Sequence, residues 1–313
     1  MKRSLFLAAM AAMLMVSVQA EAWFDRNAHE RSDLFFPSRY ELAHVRYSYS
    51  GKANFKEAPG EGVSYHMIDV GGIAPIPITP NYVFSVGVKS YIYHFRLHDV
   101  TNYYSQDGGN TYFVGLWLGN TLFFGDDWML DFTFMPSISS DMKDIGLHDF
   151  QWLGGVIASY IFSDSASFFF GVYASKEFWQ YYPIPVIGFM VRPAGSFFDM
   201  ETLLPQYIRL NFEVASFCKL FVQGEYFGFV WDMEEQTSTG VPDHMLKFAD
   251  VQVGAGAKFR VMPGFYIEAA GGVHPYRKYD FADRTNQQFN SRQKFGWFAG
   301  ATFSVGPELF GMK

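Results

Sequence analysis

Apolar and polar side chains alternate with a period of two along most of the chain. The segment QYIRLNFEVASFCKLFVQGEYFGF (206–229) shows the pattern twice, before and after a short turn. Its first half places Ile208 and Leu210 on one face and Arg209 on the other. A period of two is that of a β-strand whose two faces meet different surroundings.

The same alternation returns in segments 81–95, 127–134, 249–260, 262–274 and 294–305. Segment 63–74 is the weak one, because Asp69 shares a face with Met67. Counting strands between the polar breaks predicts about 14 antiparallel strands in an up-and-down order, with 12 as the fallback if two weak segments merge.

The connections between these strands fall into two classes of length. Tight ones lie near residues 77–81, 124–127, 163–167, 192–196, 215–217 and 262–264. Longer polar ones lie near residues 51–62, 97–110, 136–150, 176–183, 232–247 and 275–293, and one short turn at Leu204-Pro205-Gln206 falls on their side. Short turns on one rim and long loops on the other are typical of outer-membrane barrels.

The second face of these strands carries Lys, Arg, Asp, Glu and Gln beside glycines. Unpaired charges in the dry core of a soluble sandwich would cost several kcal/mol each. If the apolar face meets lipid and the charged face meets a wet lumen, neither cost arises. A sheet in lipid must also close, since every backbone group needs a partner. We therefore predict an all-β transmembrane antiparallel up-and-down β-barrel over residues 39–313; the alternative is a soluble secreted all-β protein.

Composition agrees with this fold class: 19% of the residues are aromatic and 29 are Gly. Eight aromatic residues near strand ends are candidates for the interfacial girdles, and ordinary strand composition is the alternative interpretation: Tyr47, Tyr82, Tyr112, Trp128, Trp152, Tyr160, Tyr226 and Trp297. The net charge of −7 argues against a nucleic-acid partner.

The N-terminus carries an export signal. Lys2 and Arg3 precede an apolar run that ends at the small-x-small site Val18-Gln19-Ala20. We predict a signal peptide over residues 1–20 and the outer membrane of a Gram-negative bacterium as the destination. We expect residues 21–38 to form an N-terminal periplasmic segment, which is too short for a folded plug but could tuck into the lumen.

The stretch YYPIPVIGFMVRPAGSFFDMETLLPQYIRLNFE (181–213) has a Pro-Ile-Pro strand start and a Leu-Pro corner. Together with PNYVFSVGVKSYIYHF (80–95), it resembles an uncharacterised family of outer-membrane β-barrel proteins of Bacteroides-like bacteria. The resemblance implies the fold and the compartment, and it implies no activity.

Motifs of known catalytic chemistry are absent from the sequence, and no cofactor is expected. His94 and His98 are too far apart on one strand for a single metal ion, and no metal site is predicted. The single cysteine, Cys218, excludes an internal disulfide and has no basic cluster beside it.

Two histidine neighbourhoods are conceivable fragments of a lipid-modifying site. His44 shares a face with Arg46 and Ser48, and His148 lies between two aspartates. No triad signature accompanies either of them, so we predict that the protein is not an enzyme.

The inward charges are the stronger signal. We predict these lumen-lining residues: Lys89, Asp131, Arg192, Asp199, Glu201, Arg209, Asn211, Glu213, Gln223, Glu225, Asp250, Lys258 and Glu268. A turn at 215–217 would put Glu213 opposite Lys219 and Arg209 opposite Gln223. The set indicates either a lined path or a salt-bridged network that fills the lumen.

Passive or facilitated passage of small solutes through a polar lumen is the function that the pattern favours. Two alternatives remain: a barrel whose loops 97–110 and 275–293 bind glycans or a partner protein, and a lipid-modifying enzyme. The expected partners are outer-membrane lipid and small solutes, and the sequence gives no oligomeric state.

Overall fold

A computed structural model describes residues 41–56, 58, 60–99, 108–143, 145–147, 149–177, 180–233, 244–283 and 288–306. Within these residues the chain forms fifteen β-strands: β1 (Ala43–Asn54), β2 (Gly62–Thr79), β3 (Tyr82–His98), β4 (Gly108–Phe124), β5 (Trp128–Ser140), β6 (Phe150–Ser163), β7 (Ala166–Glu177), β8 (Gln180–Val191), β9 (Phe198–Leu204), β10 (Tyr207–Ala215), β11 (Cys218–Met233), β12 (His244–Met262), β13 (Phe265–Asp283), β14 (Gln288–Arg292) and β15 (Gly296–Val305). The described part of the chain holds no helix long and apolar enough to cross a membrane. The predicted signal peptide and the periplasmic segment 21–38 lie outside the described residues.

The strands close into one antiparallel barrel. Each strand from β2 to β13 pairs with the strand before it, β13 also pairs with β15, and β15 pairs with β1. β14 pairs with the far half of β13, so β14 and β15 fill one position in the wall. The barrel therefore has 14 strand positions, which confirms the predicted fold class and strand number.

Two predicted connections were wrong. Residues 275–293 do not form a long loop, because β13 continues to Asp283 and β14 begins at Gln288. Residues 176–183 do not form one either, since β7 ends at Glu177 and β8 begins at Gln180. Polar residues suggested a loop in both places. A strand that extends above the membrane does not need to alternate apolar and polar residues, because neither of its faces meets lipid.

The two rims differ in the length of their connections. Six connections, at residues 80–81, 125–127, 164–165, 192–197, 216–217 and 263–264, share a rim with the start of β1 and the end of β15. In outer-membrane barrels the short turns face the periplasm. We call this rim periplasmic and the opposite rim extracellular.

The outer face of the wall is apolar. Val222 and Val253 are 45% and 43% exposed, whereas Arg209 and Asp250 on the alternate face are 2% and 0% exposed. On β3 the outward positions from Tyr82 to Ile92 carry no charge. Ten residues rise about 33 Å along a strand, or about 25 Å at a tilt of about 40°, which is the height of the apolar band of such barrels.

Six strands are much longer than a membrane crossing requires. β2, β3, β4, β11, β12 and β13 have 16 to 19 residues, whereas about ten suffice when the strand is tilted. Their extracellular halves enclose a cluster that we call the aromatic core: Phe55, Val63, Tyr65, Met67, Tyr93, Phe95, Leu97, Trp231, Leu246, Phe248 and Tyr279. Every member is at most 5% exposed. The expectation of a polar interior therefore fails in this half of the lumen.

The aromatic core is enclosed because the end of β11, still paired with β12, crosses the lumen to β5. Asp232 pairs in parallel with Ser140 of β5, across the lumen. The carbonyl oxygen of Val230 accepts hydrogen bonds from Ser139 Oγ at 2.7 Å and from Gln151 Nε2 at 2.9 Å. At this height β1–β5 and β11–β14 form a narrower closed wall, and barrels of about eight strands are filled by side chains.

The outward placement of Val222 gives a first prediction. Replacing Val222 by Arg puts a charge near the middle of the apolar band and should lower the free energy of unfolding by about 2–4 kcal/mol. Leu147→Arg, in an extracellular connection where Leu147 is 85% exposed, is the matched control and should change little. Urea unfolding in lipid vesicles measures both, and equal losses would contradict the assigned faces.

Candidate functional site

Arg209 on β10 is the centre of the charged network in the periplasmic half of the lumen. Its Nε donates to Asn211 Oδ1 at 2.9 Å, and one terminal nitrogen donates to Gln223 Oε1 at 3.2 Å. The two terminal nitrogens also reach the carboxylate of Glu268, at 3.3 and 2.8 Å. The guanidinium lies 3.7 Å from the ring centroid of Phe221. Since β13 is not adjacent to β10 in the wall, the pair to Glu268 is a crosslink through the lumen.

The network continues from Arg209 to the periplasmic rim. Asn211 Nδ2 donates to Asp199 Oδ1 at 2.5 Å, and Lys219 Nζ lies 3.4 Å from Asp199 Oδ2. Lys219 is also 3.7 Å from Glu213 Oε2, where both side chains are more than 40% exposed. Exposed pairs of this kind contribute about 0–1 kcal/mol, so the buried end of the network dominates its energetics.

A second crosslink joins Arg46 on β1 to Glu225 on β11, with 3.8 Å between Nη1 and Oε1. These two residues and Glu268 line a small cavity of about 30 Å³. Such a volume holds about two water molecules. The periplasmic half of the lumen is therefore crossed by side chains, with little free space beside this crosslink.

Three further groups lie on the inner wall. Asp69 accepts a hydrogen bond at 3.1 Å from Nε2 of His44. Asp131 accepts from the hydroxyls of Thr121 and Thr133 at 2.7 and 3.0 Å. Two lysines lie over tyrosine rings, Lys89 over Tyr91 and Lys258 over Tyr266, at 5.0 and 4.6 Å from the centroids.

A buried cluster around Asp250 separates the charged network from the aromatic core. Asp250 Oδ1 accepts a hydrogen bond from His274 Nδ1 at 2.8 Å and lies 3.5 Å from Arg277 Nε. Asp250 Oδ2 accepts hydrogen bonds from Gln252 Nε2 at 3.1 Å and from the Tyr65 hydroxyl at 3.4 Å. All five side chains are at most 6% exposed. His274 and Arg277 both point inward because a bulge lies between them in β13.

The bulge lies in β13, where Val251 pairs with Tyr276 but Val253 pairs with Val273. Because of this extra residue, the inward-facing positions are even-numbered up to His274 and odd-numbered from Arg277 onward. Sequence reasoning missed Arg277 because strict alternation assigned it to a loop. The signal that was present is Pro275, which is confined to edges and bulges when it occurs in a sheet.

The structure places the thirteen predicted lumen residues as follows. Six lie buried on the inner wall: Asp199, Glu201, Arg209, Asn211, Gln223 and Asp250. Five lie on the inner wall and remain partly exposed: Lys89, Asp131, Glu225, Lys258 and Glu268. Glu213 is exposed at the periplasmic rim, and Arg192 follows the last residue of β8 in a periplasmic turn rather than in the wall. Their part in solute passage stays a prediction.

The register expected around the turn at 215–217 is confirmed. Glu213 pairs with Lys219 and Arg209 pairs with Gln223.

The histidine neighbourhoods do not assemble a catalytic group within the described residues. His44 contacts the carboxylates of Asp69 and Glu41, whereas Ser48 lies four residues further along β1, about 13 Å away. His148 lies outside the described residues. No group of three or more His, Cys, Asp or Glu in the described part of the chain is arranged to hold a metal ion.

The described strands leave a gap on the extracellular side of the wall. β9 and β10 are joined by a two-residue turn, and β9 pairs only with Ile187–Val191 of β8. Within the described residues, residues 180–186 of β8 have no strand partner on the edge that pairs with β9 nearer the periplasm. The edge of β11 that pairs with β10 likewise has no strand partner between Tyr226 and Asp232, where β11 meets β5. The unpaired stretch of β8, residues 180–186, is about 23 Å long.

Behind the gap, the inner faces of the wall are partly exposed. The partly exposed residues are Leu153, Ile184, Leu203, Tyr207 and Phe227. Below them lies a buried apolar cluster of Ile157, Phe169, Val186 and Met190. We call the space bounded by β6–β9, the β9–β10 turn and the end of β11 the side compartment.

Residues 116–308 match a family described as Domain of unknown function (DUF6268). The chain belongs to this family. The match covers the sequence from β4 to the end of the barrel, including β11 and the β9–β10 turn.

Solved structures with a similar fold are outer-membrane barrels. The deltaS2 mutant of the TodX monoaromatic hydrocarbon channel is 7% identical with a TM-score of 0.46, covering 88% of this chain and 92% of that one. An outer membrane channel from Pseudomonas putida F1 is 8% identical with a TM-score of 0.43, covering 85% and 98%. LpxR from Salmonella typhimurium is 7% identical with a TM-score of 0.36, covering 84% and 99%. None of the curated proteins matches the sequence.

The crosslink between Arg209 and Glu268 gives a second prediction. Glu268→Gln leaves the buried guanidinium without its counter-charge and should lower the free energy of unfolding by about 3–5 kcal/mol. Glu213→Gln removes the same charge at the exposed rim and should cost less than about 1 kcal/mol. Urea unfolding in vesicles separates the two, and similar costs would show that the lumen is wet around Arg209.

Proposed function

We propose that the protein carries small solutes across the outer membrane through the gap between β8 and β11 and the side compartment behind it. The observation that carries this proposal is the departure of β11 from the wall at Val230 and Asp232. β9 and β10 end below this height, so the described wall is open between β8 and β11, while the end of β11 closes the aromatic core.

Packing favours this route over one along the barrel axis. A solute on the axis would have to displace the aromatic core, whose side chains are at most 5% exposed. Burying a single aromatic side chain stabilises the fold by about 1.5–3 kcal/mol, so displacing several together is costly. The inner residues behind the gap are already partly exposed, and a solute there replaces water.

The lining of the route suggests the class of solute. Ile184, Leu203 and the buried cluster below them offer an apolar surface, and Glu201 and Arg209 lie beyond them towards the periplasm. A pocket with apolar walls and a few polar groups suits small neutral molecules that have an apolar body and hydrogen-bonding groups. Large or highly charged solutes fit this lining poorly.

The height of the gap supports access from the outer leaflet. β10 has nine residues, which rise about 23 Å at a tilt of about 40°, so the β9–β10 turn lies near the top of the apolar band. Outward residues beside the gap are apolar and exposed, including Pro183, Pro185, Leu204 and Ile208. A solute dissolved in the membrane interface can therefore approach the gap.

A pair of neighbouring leucines tests the route, because Leu203 faces the side compartment and Leu204 faces outward. Leu203→Trp should reduce the flux of small neutral solutes into proteoliposomes several-fold, since the larger ring fills the compartment. Leu204→Trp is the matched control and should leave flux unchanged, because tryptophan is well tolerated at the membrane interface.

The outcomes of this experiment separate two claims. Absence of flux through the folded wild-type protein would contradict the proposed function itself. Flux that is unaffected by Leu203→Trp would contradict the side compartment as its route.

A further prediction concerns the contacts that hold β11 across the lumen. Replacing both Ser139 and Gln151 by Ala removes the two donors to the carbonyl oxygen of Val230. The end of β11 should become mobile, and the flux of larger solutes should rise. The barrel should still be folded, as shown by different gel mobilities of boiled and unboiled samples. Ser159→Ala, a buried inward position on β6 nearer the periplasm, is the matched control. Unchanged flux in the double variant would show that β11 does not set the width of the route.

A further inference from the structure

The outer face of β1–β4 carries a row of polar side chains just above the apolar band. The hydroxyl of Tyr47 lies 2.6 Å from Nδ1 of His66, the rings of His66 and His94 are 6.2 Å apart, and Nδ1 of His94 lies 2.8 Å from Oδ1 of Asn110. Arg96 stands on the same face, exposed, two residues beyond His94. We call these five side chains the histidine row.

The row lies at a sharp boundary on the outer face. Below it, the exposed outward residues are apolar, among them Val45, Ile68, Val70, Val88 and Ile92. Above it, the strands rise out of the membrane. An exposed group at this height faces the headgroups of the outer leaflet, and no charged residue lies on the outward positions of β1–β4 within the band below.

The hydrogen bonds in the row turn the second nitrogen of each imidazole outward. When the Tyr47 hydroxyl donates to Nδ1 of His66, the neutral ring carries its proton on Nε2. When Nδ1–H of His94 donates to Asn110 Oδ1, the neutral ring carries its lone pair on Nε2. Among the described residues, neither Nε2 atom has a hydrogen-bond partner.

Arg96 is the charged member of the histidine row. Arg96 has no acidic partner within the described residues, and Asp99, the acidic group nearest along the chain, pairs with Lys52 at 3.2 Å. Arginine presents several N–H groups in a planar fork that matches the oxygens of a phosphate. Arg96 and His94 are about 6.6 Å apart along β3, close enough for one phosphate to contact both.

We propose that the histidine row binds the phosphate of an anionic lipid headgroup in the outer leaflet. Arg96 supplies the charge, Nε2–H of His66 supplies a further donor, His94 lies between them, and the acyl chains lie along the apolar surface of β2 and β3 below. This site is separate from the side compartment and does not depend on solute passage.

Retention of phosphorylated lipid tests the site. Folded full-length protein is mixed in detergent with bisphosphorylated lipid A or with its dephosphorylated form, and native mass spectrometry counts the lipid that stays bound. The wild type should retain the phosphorylated form several-fold better. Arg96→Gln should lose most of this preference, and the triple change with His66→Gln and His94→Gln should abolish it.

Arg260→Gln is the matched control, because Arg260 is an exposed arginine at the periplasmic end of β12. It should retain lipid as the wild type does, and the gel mobility of unboiled samples shows that every variant is folded. Equal retention of the dephosphorylated lipid, or full retention by the triple variant, would overturn the proposal. Displacement of the lipid by millimolar inorganic phosphate, with phosphate alone bound as tightly, would identify a site for free phosphate and overturn the lipid assignment.

Discussion

A sheet that crosses hydrocarbon must give every backbone N–H and C=O a partner, and only a closed barrel does so. The other features follow from this constraint. Once the wall is closed, outward side chains meet lipid and must be apolar, so the charged residues on the alternate face share one interior. There they crosslink the wall, as Arg209 does to Glu268 and Arg46 does to Glu225.

Fourteen strands enclose more space than short side chains can fill, and the protein divides that space by height. Near the periplasm, charged and polar side chains cross it. Near the extracellular rim, β11 crosses to β5 and the smaller enclosure is packed with aromatic rings. β9 and β10 are short, so the described wall is low at their turn, and the end of β11 closes on β5 instead of continuing beside β10.

The period of two was enough to predict the barrel, its strand number and which face meets lipid, because both faces of a crossing strand have strict requirements. Above the membrane those requirements end. Tyr65 and Tyr93 point inward although they are largely apolar, and strand residues near Arg277 resemble a loop. The path of β11 could not be predicted, because it depends on Ser139 and Gln151, which are distant in sequence and ordinary in type. The weak alternation around Asp69 and Met67 was the local sign that the interior changes character there, since both are buried on the inner face.

The position of β11 is most directly measured by the accessibility of spin labels placed along it to lipid-soluble oxygen, in a Cys218→Ser background. Labels at Leu220 and Val222 should be accessible and those at Phe221 and Gln223 should not. Beyond Gly228 the alternation should vanish, because Val230 and Trp231 are 4% and 0% exposed, so that both faces of the strand are covered. Alternation that continues to Trp231 would show that β11 stays in the wall, and it would contradict both the enclosed aromatic core and the gap beside it.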